Sequence, residues 1–167
     1  MTGPPAPVRV REATLADVDR LLELVVAVAG EGRWISVEAP VDVAQRRRRM
    51  VEELEGNQTV MLVAEAGGEL VGQLDLRLAR YGVADLGMLV AAGWRGRGVG
   101  TALLDEAVRR AREAGAHKIA LQVWPHNTAA IALYERFGFQ REGHLRRHYR
   151  RRSGELWDAV VMGLPLD

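Results

Sequence analysis

Arg95-Gly96-Arg97-Gly98-Val99-Gly100-Thr101 lies between a strand-like run over 85–90 and a helical pattern over 101–114, with Leu103, Leu104, Ala107, Val108 and Ala111 on one face. A helix start leaves N–H groups unpaired, with partial positive charge behind them. Glycines let a bulky anion reach that backbone, because no Cβ stands in the way. The segment reads as a cradle for a phosphate-bearing ligand. A P-loop needs Gly-Lys-Ser or Gly-Lys-Thr, and neither is present. A dinucleotide fingerprint needs GxGxxG directly after a first strand. Here the third glycine comes one residue early, and Ala91-Ala92-Gly93-Trp94 intervenes. Taken alone, the loop also fits glycines that merely turn the chain.

The surrounding pattern sets the fold. Val8-Arg9-Val10-Arg11 alternates as a strand does. Thr14-Leu15-Ala16-Asp17 has the spacing of a capping box, and the helix it opens carries Val18, Leu21, Leu22, Val25 and Val26 on a stripe until Gly30-Glu31-Gly32. A loop with Arg33, Trp34 and Ile35 leads to a second helix over 41–55, with Ala44, Val51 and Leu54 inward. Strands are expected over 60–65, 69–78 and 85–90, the first two joined at Gly67-Gly68. After the glycine loop and its helix come a strand over 118–124 and a helix over 128–136, which Asn127 can cap. A hairpin over 140–150 and 155–164 turns at Arg152-Ser153-Gly154. The order β α α β β β α β α β β calls for a mixed sheet, antiparallel at first and then joined by a βαβ crossover. No linker or repeat divides the chain. Residues 8–167 read as one domain after a short disordered lead over 1–7.

Composition narrows the function. The 167 residues are 48% hydrophobic and 27% charged, ordinary for a soluble globular domain. A net charge of +1 gives no global attraction to nucleic acid or to an acidic membrane. The lack of cysteine removes disulfides, thiolate zinc sites and cysteine nucleophiles. No apolar run is long enough to span a bilayer, and the first residues lack the basic start and apolar core of a signal peptide. Cytoplasmic location is the expectation, with no nucleic-acid or membrane partner. Arg46-Arg47-Arg48-Arg49 reads as a solvated helix face balanced by Glu52, Glu53 and Glu55, against the alternative of a nucleic-acid patch.

Two further segments accompany the glycine loop. Arg95-Gly96-Arg97-Gly98-Val99-Gly100 resembles the Q/R-x-x-G-x-G/A signature of the GNAT superfamily of acyl-CoA N-acyltransferases. The segment from Asn127 through Tyr134 to Gly138-Phe139 resembles that superfamily's asparagine-led helix ending in Tyr-x-x-x-Gly-Phe. Asp158 and Met162 resemble the usual closing strand. The likeness covers nearly the whole chain. It implies an α/β fold of α+β type: one mixed, mostly antiparallel seven-stranded sheet, splayed between its fourth and fifth strands and flanked by about four helices.

The resemblance also implies roles. Acetyl-CoA would be the cosubstrate, with no metal. The backbone of Met88, Leu89 and Val90 would hold the pantetheine arm. The N–H groups of Arg95, Gly96, Arg97, Gly98, Val99, Gly100 and Thr101 would hold the pyrophosphate, with Asn127 and Ala130 also meeting the cofactor. Tyr134 would be the general acid, and the Leu89 or Val90 N–H the oxyanion donor. Asp85 stands where some members carry a catalytic glutamate, one carbon longer. An acceptor amine with a reference pKa of about 10.4 must lose a proton before it attacks. Glu31 is another base, and Glu31 and Trp34 would wall the acceptor site. Asp75, His117 and His126 are weaker bases. Trp157 either joins that wall or packs in the core. Arg146, Arg147, Arg150, Arg151 and Arg152 read as a solvated hairpin edge, against the alternative of attracting a carboxylate on the substrate. The expected activity is N-acetylation of a small amine, such as an amino acid or a phosphinothricin-like compound, by a chain that dimerises by family habit. Acetylation of a protein N-terminus or lysine is the alternative acceptor reading. A non-catalytic acyl-CoA-binding module is the alternative of a different class.

Overall fold

A computed structural model describes Pro4 and residues 6–166. Seven strands, β1 (Arg9–Glu12), β2 (Thr59–Ala66), β3 (Glu69–Leu78), β4 (Val83–Val90), β5 (Lys118–Val123), β6 (Gln140–Arg150) and β7 (Leu156–Pro165), form one sheet in the order β1-β2-β3-β4-β5-β7-β6. Four helices, α1 (Val18–Gly30), α2 (Val43–Glu55), α3 (Val99–Glu113) and α4 (Thr128–Arg136), complete the fold. Element order and type agree with the pattern of the sequence. The expected lead over 1–7 falls largely outside the described residues, although Ala6 packs against the larger core cluster.

Period-2 alternation divides β2 between two cores. Leu62, Ala64 and Ala66 join Leu74, Leu103, Leu104 and Ile131 beneath α3 and α4. Met61 and Val63 face the other way, onto Val18, Leu21 and Leu22 of α1 and Met50 of α2. Gly72 lets α3 approach closely, since a Cβ there would stand 2.9 Å from a Val99 methyl. Asp17, buried under the first turn of α1, accepts two hydrogen bonds of 2.8 Å from Arg11 and one of 2.8 Å from the Thr14 N–H.

Two inward residues differ from expectation. Val26 is exposed on α1, and the stripe runs instead to Val28 and Ala29. Ala44 is exposed on α2, whose inward side carries Arg46, Met50, Val51 and Leu54. Arg46, Met50 and Leu54 recur every four residues, so a cation holds the inward position that apolar patterning assigned to Ala44.

Every strand pair is antiparallel except β4 with β5, which pair in parallel over only three positions, ending at Asp85↔Ala120. β3 follows β4 on its other side up to Val90. The β5-facing edge of β4 therefore has no strand partner from Leu86 onward, and the sheet opens there.

Candidate active site

The opening has a cleft on each face. A cleft of about 390 Å³ lies on the α3–α4 side, lined by Met88, Val90, Trp94, Gly98, Gly100 and Leu133 among others. A cleft of about 730 Å³ lies on the α1–α2 side and includes Gln73, Asp75, Asp85, Gly87, Gln122 and Tyr149. Trp34, Ile35, Met88, Leu89, Asn127 and Tyr134 line both, so the two volumes meet at the gap in the sheet.

The glycine loop enters α3 with Gly96 at φ 72° and Gly98 at φ 84°, a region that costs residues with a Cβ. No backbone N–H from 95 to 101 finds an acceptor among the described residues; the first helical bond runs from Ala102 N–H to Gly98 O. No side chain caps this helix start. Seven free donors at a helix N-terminus fit a pyrophosphate. The unpaired β4 edge fits an extended, amide-bearing arm. Thr101 and Ala130 line the α3–α4 cleft. Asn127 Oδ1 accepts from the Ala130 N–H at 3.3 Å, so its capping role is realised. The Arg97 guanidinium stacks on Trp94 at 5.2 Å and does not line the cleft.

Arg95 faces away from its own loop. Its guanidinium grips Glu31 through hydrogen bonds of 2.6 and 2.7 Å, and its Nε donates to Val90 O at 3.1 Å. Glu31 also accepts from Trp34 Nε1 at 3.1 Å. Arg95 holds the Glu31 carboxyl below the usual range. Glu31 thus braces the wall from behind and lines neither cleft, while Trp34 lines both.

Tyr134 is buried at the junction, and burial pushes its phenol up to about 12. The group stays protonated through the physiological range and can donate to a leaving thiolate, whose reference pKa is about 8.5. Asp85 is exposed on the α1–α2 side, opposite Arg77. Asp75 lies on the same face, opposite Gly87, and burial raises its carboxyl to about 6. Neither His117 nor His126 lines a cleft; His126 Nε2 meets Arg33 O at 2.7 Å.

Three residues near this site carry structure that composition did not signal. Gln73 is buried, donates to both Asp75 oxygens at 3.1 and 3.2 Å, and leaves its own Oε1 without a partner. Two polar residues at period 2 inside an apolar central strand were the available signal. Arg46 lines the α1–α2 cleft and forms no ion pair among the described residues. Arg151 departs from the solvated-edge expectation. It is buried, stacks on Trp157 at 4.3 Å, and donates to Ser36 O at 3.3 Å and Ile35 O at 3.4 Å. Trp157 packs on Trp124 and His126 behind the cleft wall.

The split sheet sets a loop of free backbone donors on one side against a carboxylate-bearing cleft on the other. The chain matches the Acetyltransferase (GNAT) family model over residues 31–139. It is 35% identical to N-alpha-acetyltransferase RimI of Mycobacterium tuberculosis, covering 97% of this chain and 95% of that protein. It is 28% identical to an L-methionine sulfoximine/L-methionine sulfone acetyltransferase of Pseudomonas aeruginosa, over 95% of this chain and 94% of the relative. An acetyltransferase from Salmonella typhimurium, solved with its cofactor acetyl-CoA, superposes with a TM-score of 0.83 at 23% identity, over 97% of this chain and 95% of the other. The chain belongs to the GNAT acetyltransferase family and is an N-acetyltransferase.

Proposed function

We propose that this enzyme moves the acetyl group of acetyl-CoA onto the α-amino group of a free amino acid or a close analogue. The observation that carries this reading is the mixed charge of the α1–α2 cleft, with Asp75 and Asp85 beside the unpaired guanidinium of Arg46. A zwitterion with both an ammonium and a carboxylate suits that lining. The ends of the wall support a small acceptor. Arg151 joins the loop after α1 to the β6–β7 hairpin through the Ile35 and Ser36 carbonyls, and the Arg152 N–H reaches Glu38 at 3.1 Å. A bridged loop and hairpin suit a compact acceptor better than an extended polypeptide.

In this reading the 95–101 backbone and the free β4 edge bind and orient the donor, and the Leu89 or Val90 N–H meets the developing oxyanion. Tyr134 protonates the departing sulfur. Asn127 and Ala130 close the donor cleft at the start of α4. A protein N-terminus is the second acceptor reading, favoured by the 35% identity to an N-alpha-acetyltransferase. A thiol-release assay decides between them. L-methionine sulfone and other free amino acids are expected to release CoA at least ten times faster, by kcat/KM, than an alanine-leading hexapeptide. The reverse order assigns the enzyme to protein N-termini. Release with neither overturns both.

A further inference from the structure

The α1–α2 cleft holds two carboxylates on one face of the sheet, and the sequence favoured Asp85. Register separates them. Leu89 marks the level of the reacting carbonyl in the reading above. At ~3.4 Å per residue, Asp85 stands four residues or ~14 Å down β4 from Leu89. Asp75 is opposite Gly87, about 7 Å from that level, and Gln73 is opposite Leu89 itself. Gly87 leaves the space beside Asp75 open: a Cβ built there would meet nothing within 4 Å.

Gln73 adds an independent mark. It is 3% exposed, lines the cleft, and has an Oε1 with no partner. A buried amide oxygen without a donor costs about 1–3 kcal/mol. Its orientation is forced, because turning the amide over would set its oxygen against the Asp75 carboxylate while Nε2 now donates to both oxygens there. Gln73 lines the cleft, so a donor bound there, such as the attacking amine or a water on it, could satisfy this oxygen.

We propose, resting on the acetyl-transfer reading, that Asp75 accepts the proton of the attacking amine, directly or through one water, and that Gln73 positions it while its Oε1 holds the amine or that water. The ammonium gives one proton to Asp75. The freed nitrogen lone pair forms the N–C bond to the thioester carbonyl. The C–S bond breaks with its electron pair on sulfur, which takes the Tyr134 proton. The second nitrogen proton returns through water to the phenol, and Asp75 releases its own to solvent. The products are the amide, the thiol and one proton. Burial raises Asp75 to about 6, which leaves it ionised at neutral pH yet basic enough to accept. The charged and titratable groups facing it are Arg46, Arg49 and Glu53 of α2, Arg77 of β3, Asp85 of β4, Tyr134 of α4 and Tyr149 of β6.

The test is the pH profile of kcat/KM with L-methionine sulfone, or with the alanine-leading peptide if that turns over faster. The parent enzyme is expected to lose activity on an acid limb near pH 6. Asp75→Asn is expected to lower kcat/KM about 10²–10⁴-fold and abolish the limb, with acetyl-CoA affinity by calorimetry kept within twofold. Asp75→Glu retains a limb, and so does Asp85→Asn. Gln73→Met removes a hydrogen bond that favours the carboxylate, so its limb moves to higher pH. Carboxyl carbon NMR of the ligand-free chain should show Asp75 titrating near pH 6, and moving upward in Gln73→Met. A limb that survives Asp75→Asn, or vanishes in Asp85→Asn, overturns the proposal. If Asp75→Asn does not fold, an unmoved limb and carboxyl titration in Gln73→Met overturn it instead. No CoA release by the parent with either acceptor overturns the acetyl-transfer reading and this proposal together, whereas a surviving limb overturns this proposal alone.

Discussion

Arg95 and Glu31 join the glycine loop to the segment that carries Trp34: two hydrogen bonds of 2.6 and 2.7 Å tie the end of α1 to the loop before α3. Both side chains are about one-third exposed, so the pair contributes under about 1 kcal/mol. Glu31→Gln is therefore expected to lower the melting temperature by only about 1–3 °C. It should raise the acceptor KM several-fold, because Trp34 loses the carboxylate it donates to, and leave acetyl-CoA binding no weaker. Calorimetry and steady-state kinetics on one preparation check this.

Asp17 carries the deepest acid sensitivity among the depressed carboxyls. Arg11, the Thr14 N–H and Arg20 hold its carboxyl well below the ordinary range. A depressed folded value contributes stability that is present above the unfolded value of about 3.9 and is lost as pH falls below it. Asp17→Asn leaves Arg11 short of a charge partner and is expected to cost about 3 kcal/mol at pH 7. Urea titrations from pH 7 downward should show a wide gap between parent and variant at pH 7 that begins to shrink below about pH 4, is only partly reduced at pH 3, and keeps closing at lower pH.

Asp75 acts in the opposite sense. Its folded value, raised to about 6, lies above the unfolded one, so the fold gains from its protonation at low pH and loses that gain as pH rises through 6. Asp75→Asn is expected to stabilise the chain at pH 8 by about 1–3 kcal/mol while impairing turnover. Equal stability of the two chains at pH 8 would contradict this burial cost.

Tyr134→Phe removes the proposed thiolate donor and keeps the ring that packs on Phe139 at 5.5 Å. The expected outcome is a fall in kcat of about 10²–10⁴-fold with unchanged acetyl-CoA affinity. The parent's buried phenol also makes stability fall between pH 10 and about 12, where the unfolded chain ionises first. The variant should lack that part of the alkaline decline.

Gly98→Ala meets open space but must adopt φ 84°. A cost of about 1–2 kcal/mol in the free chain is expected. Acetyl-CoA affinity should fall about tenfold as the α3 N–H groups lose their aim. Thermal shift with and without acetyl-CoA separates the two effects.

The conformation of the glycine loop and the cap of α4 were legible because backbone geometry leaves marks in sequence. Gly96 and Gly98 are required by their positive φ, and Asn127 by the helix it caps. Tyr134 was singled out by the resemblance of the Asn127–Phe139 segment to a family signature. The α1–α2 cleft was less legible, because its geometry arises between elements remote in the chain. Arg151 is buried because Trp157, Trp124, Glu38 and the carbonyls of Ile35 and Ser36 surround it. Arg46 was one of four arginines in a row until the sheet beneath α2 gave it an inward side. Asp75 and Gln73 belonged to a strand whose apolar alternate residues were easy to assign. Their own face acquired meaning only once β4 and β5 parted beside it.

That parting has a consequence for the life of the protein in a cell. Three residue pairs join β4 to β5, and a bound donor arm would serve as the missing strand between them. At a hundred times its dissociation constant, such a ligand adds about 2.7 kcal/mol of stability. Proteases that cut transiently opened chains respond to the population of the open form. The amount of this enzyme would then follow the supply of acyl donor, with chains made in its absence cleared first.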